Sequence, residues 1–295
     1  MIDFAFKPVV VIGAARSGTN MLRDILTSLP GIDTWPCDEI PFIWRHGNRG
    51  HAHDEFTPRM ARNDVVDFVR KSFRNTANPS TELLVEKTCA NSLRVEFIDR
   101  ILPDARYVYV VRDGRDAAAS AMLRWRSGFD LRYSLAKARY VPLGDLPYYG
   151  SRFLLNRLNR LTSGDRRLAT WGPIFEGLRD LPHDTPLHVL AARQWARCVD
   201  RSDAAFAAMD DKRVVRVRYE DFVRDPAPGL ADIAAGLDIR ISDQAVRNAV
   251  EGVRGNSIGK GARSLPADVL ADVEDIASAT LARHGYTPTS EAPTR

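Results

Sequence analysis

Two stretches of this sequence gather groups that bind anions. Gly13-Ala14-Ala15-Arg16-Ser17-Gly18-Thr19-Asn20 offers consecutive backbone N–H groups, hydroxyls and one guanidinium. At the N-terminus of a helix such a loop favours a phosphate, because unpaired N–H groups and the helix dipole point at it. Farther along, Arg112 and Ser120 stand eight residues apart in a segment that opens Val110-Val111-Arg112-Asp113-Gly114-Arg115-Asp116. A strand-end arginine and a hydroxyl on the following helix can converge on one anion. The first loop is not built for a nucleoside triphosphate. Gly18 runs straight into Thr19, so the lysine that reaches the β- and γ-phosphates is missing. The G-x-G-x-x-G of dinucleotide binding is missing too.

The elements around these residues must bring them to one edge. Pro8-Val9-Val10-Val11-Ile12 is wholly apolar and mostly β-branched, which predicts a strand buried on both faces. Met21, Leu22, Ile25, Leu26 and Leu29 then fall on one helical stripe. Leu83-Leu84-Val85 predicts a second strand, followed by a helix that Asn91 caps and that buries Leu93, Phe97, Ile98 and Leu102. Tyr107-Val108-Tyr109-Val110-Val111 predicts a third strand, leading into a helix over 115–126, and a long helix around 191–208 precedes a fourth strand, Val214-Val215-Arg216-Val217. Strands alternating with helices imply right-handed crossovers. The fold class is therefore α/β, a P-loop-type central parallel sheet flanked by helices, with ligands at the carboxyl edge of the strands. Over 127–190 the pattern decays, which predicts a mainly helical insertion above that edge. Residues 1–288 are read as a single domain and 289–295 as a disordered tail.

Composition narrows the class further. A chain of 295 residues, 44% hydrophobic and 27% charged, is globular rather than disordered or fibrous. A net charge of +4 gives no electrostatic case for a nucleic-acid partner. Only six of the 42 basic residues are lysine, so arginine is the main cation. Cys37, Cys89 and Cys198 are widely spaced, which argues against a disulfide framework or a zinc site and fits a reducing compartment. With no apolar run of ~18 residues for a transmembrane segment and no signal-like start, the expected location is cytoplasmic.

Together, Arg16-Ser17-Gly18-Thr19 after the first strand and Val111-Arg112-Asp113-Gly114-Arg115-Asp116 with Ser120 after a later one resemble the sulfotransferases that use 3′-phosphoadenosine 5′-phosphosulfate (PAPS). The resemblance implies that Arg16, Ser17, Gly18, Thr19 and Asn20 hold the 5′-phosphosulfate. It places the 3′-phosphate on Arg112 and Ser120, with adenosine 3′,5′-bisphosphate (PAP) as product and no metal. Asn20 stands where many relatives have threonine. Val215-Arg216-Val217-Arg218-Tyr219-Glu220-Asp221 is similar to a family strand leading into a Tyr-Glu motif, which would put Tyr219 near the cofactor. Lys260, with Leu265-Pro266 and the ending His284-Gly285-Tyr286, resembles the late lysine loop and terminal helix of the tyrosylprotein enzymes, so Lys260 is counted with the cofactor residues. The likeness spans roughly 8–40, 84–125 and 210–286.

Glu86-Lys87-Thr88 resembles the family segment whose lysine faces the reacting sulfuryl group. Cytosolic members place a catalytic histidine two residues later, where this chain has Cys89. The tyrosylprotein branch uses a glutamate shortly after the first helix instead. Glu39, in Trp35-Pro36-Cys37-Asp38-Glu39, matches it across a two-residue insertion, with Asp38 or a histidine of 46–53 as alternatives. The expectation is in-line sulfuryl transfer to an acceptor hydroxyl on a small molecule or glycan, the choice among glycan, lipid, phenol and tyrosine being open. Arg16 and Lys87 supply positive charge and Glu39 is the base. A P-loop-like nucleotide-dependent kinase and a non-catalytic binder of adenosine bisphosphate or sulfated glycans are the alternatives. A lysine together with an acidic base favours the enzyme. His46, His51 and His53 lack companion ligands for a metal and are read as loop. Trp125, Trp171 and Trp195 are read as core, and Tyr133, Tyr140, Tyr148 and Tyr149 as candidates to line an acceptor groove.

Overall fold

The computed structural model describes residues 2–126 and 171–287. Five strands, β1 (Lys7–Ile12), β2 (Ile32–Thr34), β3 (Leu83–Glu86), β4 (Arg106–Val111) and β5 (Val214–Arg218), lie in the order β2-β3-β1-β4-β5, and every pairing is parallel. The strand pleat divides central β1 between two cores: Val10 and Ile12 join one, Val9 and Val11 the other. That is why the run tolerates no polar residue. Helices α1 (Thr19–Thr27), α2 (Pro41–Trp44), α3 (Asn63–Thr76), α4 (Val95–Ile101) and α5 (Gly114–Arg126) belong to the first half of the chain. The second half supplies α6 (Leu187–Ala207), α7 (Tyr219–Arg224), α8 (Pro226–Gly236), α9 (Asp243–Val250), α10 (Lys260–Ser264) and α11 (Ala267–Arg283). Leu22, Ile25 and Leu26 of α1 pack with Phe222, Leu230 and Ile233 in one core, while Phe73, Phe97, Trp195 and Phe206 fill the other.

The α/β class and the parallel sheet are as expected, and the four anticipated strands are β1, β3, β4 and β5. Edge strand β2 was not anticipated. Its three residues are too few for a periodic signal and only Ile32 is buried. Its place is set by the turn before it, where the Gly31 carbonyl accepts the Glu82 and Leu83 N–H groups, and by Thr34, whose hydroxyl donates to the Val85 carbonyl. Asn91 does not cap a helix. Cys89–Leu93 forms a 3-10 turn, Arg94 takes the cap position of α4, and the Asn91 amide is drawn inward to Glu86. Residues 127–170 and the tail, with Tyr133, Tyr140, Tyr148 and Tyr149, lie outside the described residues. The described end of the insertion is a 3-10 turn at Leu178–Asp180 and the start of α6.

Candidate active site

The carboxyl ends of β1, β3 and β4 open on one cavity of about 1520 Å³. Arg16, Gly18, Thr19, Asn20, Glu39, Lys87, Arg112, Ser120, Tyr219 and Lys260 all line it. Parallel strands are the reason. Each βα turn emerges on the same edge, so motifs about a hundred residues apart, such as Arg16 and Arg112, meet there, and Tyr219 and Lys260 join them from farther along the chain.

The loop between β1 and α1 is a tight turn, closed by the Ser17 N–H on the Ala14 carbonyl. Arg16 and Gly18 both have positive φ, 70° and 90°. At Gly18 no side chain fits, since a Cβ would come within 2.5 Å of the Tyr219 ring. Arg16 holds this backbone at a cost in strain, as residues at binding sites do. No side chain caps α1 and no acid sits in its first turn, which leaves its leading N–H groups to the cavity side of the loop. Ser17 is wholly buried and its Oγ has no hydrogen-bond partner. A buried hydroxyl without a partner is costly, but Ser17, unlike its neighbours in the loop, does not line the cavity.

The Arg112 guanidinium is fixed from several sides. Nη1 donates to the Arg16 carbonyl at 2.9 Å and Nη2 to the Ser257 carbonyl at 3.0 Å, and the group lies 4.6 Å from the centre of the Tyr219 ring. The Tyr219 hydroxyl meets the Ser257 hydroxyl at 2.7 Å. The Arg112 Nε is buried and unpartnered. Arg16 Nε donates to Ser120 Oγ at 2.9 Å, so two residues expected at opposite ends of a cofactor touch each other. Burial, then the nearby Arg124 and Arg112, hold the Arg16 pKa below its ordinary value. An anion among these guanidinium groups would relieve that crowding.

At the far side, Lys87 is 1% exposed, with Nζ 3.1 Å from Glu39 Oε1 and 3.3 Å from Asp38 Oδ1. Glu39 Oε1 also accepts the Cys89 N–H at 3.2 Å. Burial opposes the Lys87 charge, but Cys89, Glu39 and Asp38 outweigh it and the pKa is raised. Burial and Glu39 push the Cys89 thiol up to about 12, so it stays a thiol near neutrality and is no substitute for a histidine base. Asp38 has a second cation, Arg23, whose Nη1 donates to Oδ1 at 2.6 Å.

A shell of longer-range contacts holds these turns. Glu220 accepts the Asp113 N–H at 2.9 Å with one oxygen and the Tyr286 hydroxyl at 2.8 Å with the other. Trp195 Nε1 donates to the Arg112 carbonyl at 3.1 Å. Asp116 accepts the N–H groups of Gly259 (2.7 Å) and Gly261, which ties the start of α10, with Lys260, to α5. Sequence reading assigned no role to Asp116, although it stands one helical turn beyond Arg112 in the same motif. It also missed Asp54. That carboxylate accepts from Arg45 at 2.6 Å, Arg94 at 3.4 Å and the Ile174 N–H at 2.9 Å, and the Asp54 N–H returns to the Ile174 carbonyl. No local motif could have announced a join between residues 120 positions apart.

The histidines make no common centre. His51 and His53 have rings 4.2 Å apart, His53 accepts the Glu55 N–H, and His46 stacks on Phe68. Among the described residues no group of three or more His, Cys, Asp or Glu is arranged to hold a metal ion. Trp125 and Trp195 are buried in the core, as expected. Trp171 packs against the core around Trp125, its ring 5.8 Å from that of Trp125, and also lines the cavity.

The profile of the sulfotransferase family matches residues 8–142 and 173–243. No curated protein matches the chain. Among solved structures it is similar to the sulfotransferase domain from the Synechococcus PCC 7002 olefin synthase, at 18% identity and a TM-score of 0.54, covering 95% of this chain and 96% of that one. Sulfotransferase STF9 from Mycobacterium avium gives 16% and 0.55, covering 97% and 78%. Mouse sulfotransferase SULT7A1 complexed with PAP gives 14% and 0.51, covering 99% and 91%. At such identities these structures speak for the fold.

Proposed function

The chain belongs to the sulfotransferase family, and from that premise we propose that its sulfuryl donor is PAPS, held along the cavity from the β1–α1 loop to Arg112. The observation that carries this reading is that the uncapped start of α1 and Arg112, whose Nε is buried and unpartnered, face one cavity together with Arg16 and Ser120. Ser17, Gly18, Thr19, Asn20 and the leading N–H groups of α1 would take the 5′ end. Arg112, Ser120 and Arg16 would take the 3′-phosphate, with Tyr219 beneath Arg112 and Lys260 at the start of α10. Arg16, expected beside the sulfuryl group, also donates to Ser120, which supports a place for it at the 3′ side as well.

When bound, PAPS supplies a sulfuryl group whose leaving oxygen belongs to a phosphate. Lys87, buried against Glu39 and Asp38, would supply positive charge to offset the negative charge growing on that oxygen. Glu39, on Lys87 and the Cys89 N–H, accepts the proton of the attacking acceptor hydroxyl as the new S–O bond forms and the old one breaks. Asp38 is the weaker candidate, because Arg23 and Lys87 both draw on its carboxylate. The acceptor is a small molecule or glycan, met on the side of Trp171 and Ile174. Residues 1–288 act as one domain. The wide spacing of the three cysteines in the sequence supports a cytoplasmic setting, and no helix among the described residues is long and apolar enough to cross a membrane.

Calorimetry with PAP and AMP tests the cofactor. PAP is expected to bind ~10- to 100-fold more tightly, since a charge-assisted hydrogen bond is worth about 1.5–3 kcal/mol. Arg112→Ala should erase that difference. Equal affinity of the unaltered protein for the two nucleotides overturns the reading.

A further inference from the structure

Under the candidate base runs a buried polar chain that the reaction does not use directly. Glu86, at the end of β3, is 0% exposed. Its Oε1 accepts the Thr88 hydroxyl at 2.5 Å, and the Thr88 oxygen in turn accepts the Ile40 N–H at 3.1 Å. Its Oε2 accepts the Asn91 amide at 2.7 Å, and Asn91 Oδ1 accepts Arg94 Nε at 2.9 Å. Ile40 follows Glu39 directly, and Cys89, which donates its N–H to Glu39, follows Thr88 directly. Both backbone segments that define the Glu39 position are therefore pinned to one carboxylate.

The residue types argue for purpose. Ile40, Thr88, Asn91 and Arg94 are all at most 1% exposed, in a region otherwise packed with Trp44, Phe56 and Phe97. Burying a carboxylate there costs stability that an apolar side chain would not cost. What a carboxylate adds is direction: two oxygens, each with its own donor, fix the 86–91 turn and, through Thr88, the 38–40 turn. Burial is also what pushes the Glu86 pKa up to about 7.

We infer that Glu86, acting through the Thr88 hydroxyl, is a positioning residue for Glu39, locking its backbone so that the carboxylate stays on Lys87 and the Cys89 N–H. The inference rests on the reading of Glu39 as the base. A base displaced by about 1 Å can lose up to ~10²-fold in rate while nucleotide binding is untouched.

The test follows turnover of sulfur-radiolabelled PAPS above neutral pH, with para-nitrophenol as acceptor and with water where none is added, beside PAP calorimetry. Thr88→Ala is expected to lower kcat ~10- to 100-fold, with PAPS KM and PAP affinity within about twofold. Thr88→Ser should restore the rate, since it keeps the hydroxyl. Glu86→Gln should also lower kcat, because an amide leaves one acceptor oxygen for the two donors Thr88 and Asn91. If Glu86→Gln does not fold, the Thr88 pair still decides. In a Glu39→Gln background Thr88→Ala should cost nothing more. Wild-type kcat in Thr88→Ala, or the same fold loss in both backgrounds, overturns the positioning role. Wild-type turnover in Glu39→Gln alone overturns the base assignment instead, so the two failures are told apart.

Discussion

The two ends of the cavity are built differently. The end proposed for the nucleotide combines the turns after β1 and β4 with the loop before α10 and uses backbone as much as side chain: the opening of α1, the Arg16 carbonyl under Arg112, and the Gly259 and Gly261 N–H groups on Asp116. The end proposed for the acceptor relies on side-chain carboxylates bound over long sequence separations, Glu39 to Lys87 and Asp54 to the Ile174 N–H. Backbone cradles bind a constant ligand. Side-chain pairs can be exchanged one at a time, which suits the part of a site where family members must differ.

The contrast predicts separable failures. At the acceptor end, Lys87→Ala should lower kcat by ~10²–10⁴-fold while PAP affinity holds, because the charge matters most as the leaving oxygen departs. Cys89→Ser, at a thiol that does not ionise near neutrality, should stay active; a matched loss in both variants would break the division of roles. Next in size, Asp54→Ala should destabilise the fold by about 3–5 kcal/mol, since it strands Arg94 and Arg45 without their carboxylate. Thermal unfolding measures the drop, and residual folded protein should still bind PAP. At the nucleotide end, Gly18→Ala should cost about 1–2 kcal/mol in backbone strain and displace the Tyr219 ring, so PAP binding falls in calorimetry before stability does.

The smallest effect is a pH slope. Burial raises the Glu86 pKa from its ordinary 4.5 to about 7 in the folded chain. Between those values the native protein keeps a proton that the unfolded chain has released. The stability linked to Glu86 is therefore complete below pH 4.5 and is lost as pH rises toward 7. Glu86→Gln should flatten that part of the Tm-versus-pH curve, and an unchanged curve would refute the shift.

Legibility in the sequence follows the same division. β1 and β4 could be read because both of their faces are buried and no polar residue interrupts them. Arg112 and Ser120 could be read because a strand end and the next helix fix their spacing. β2 escaped because three edge residues carry no period, and Asn91 was misread because its amide answers to Glu86 rather than to a helix end. The contact of Arg16 with Ser120, 104 residues away, could not be read from the loop sequence that carries Arg16. Glu39 was found through resemblance; its contacts with Lys87 and Cys89, about fifty residues away, exist only in three dimensions. Asp54 and Asp116 act on backbone N–H groups, and no residue pattern marks such a partner in advance.

The most direct test of the central claim is transfer of radiolabelled sulfur from PAPS to a panel of phenols, glycans, lipids and tyrosine peptides, run with the unaltered protein and Glu39→Gln at equal PAP affinity. Label should leave the nucleotide for one acceptor class in the unaltered protein and be retained ~10²–10⁴-fold longer in Glu39→Gln. Equal transfer by both proteins, or no label leaving PAPS under conditions where PAP binds, would contradict the account.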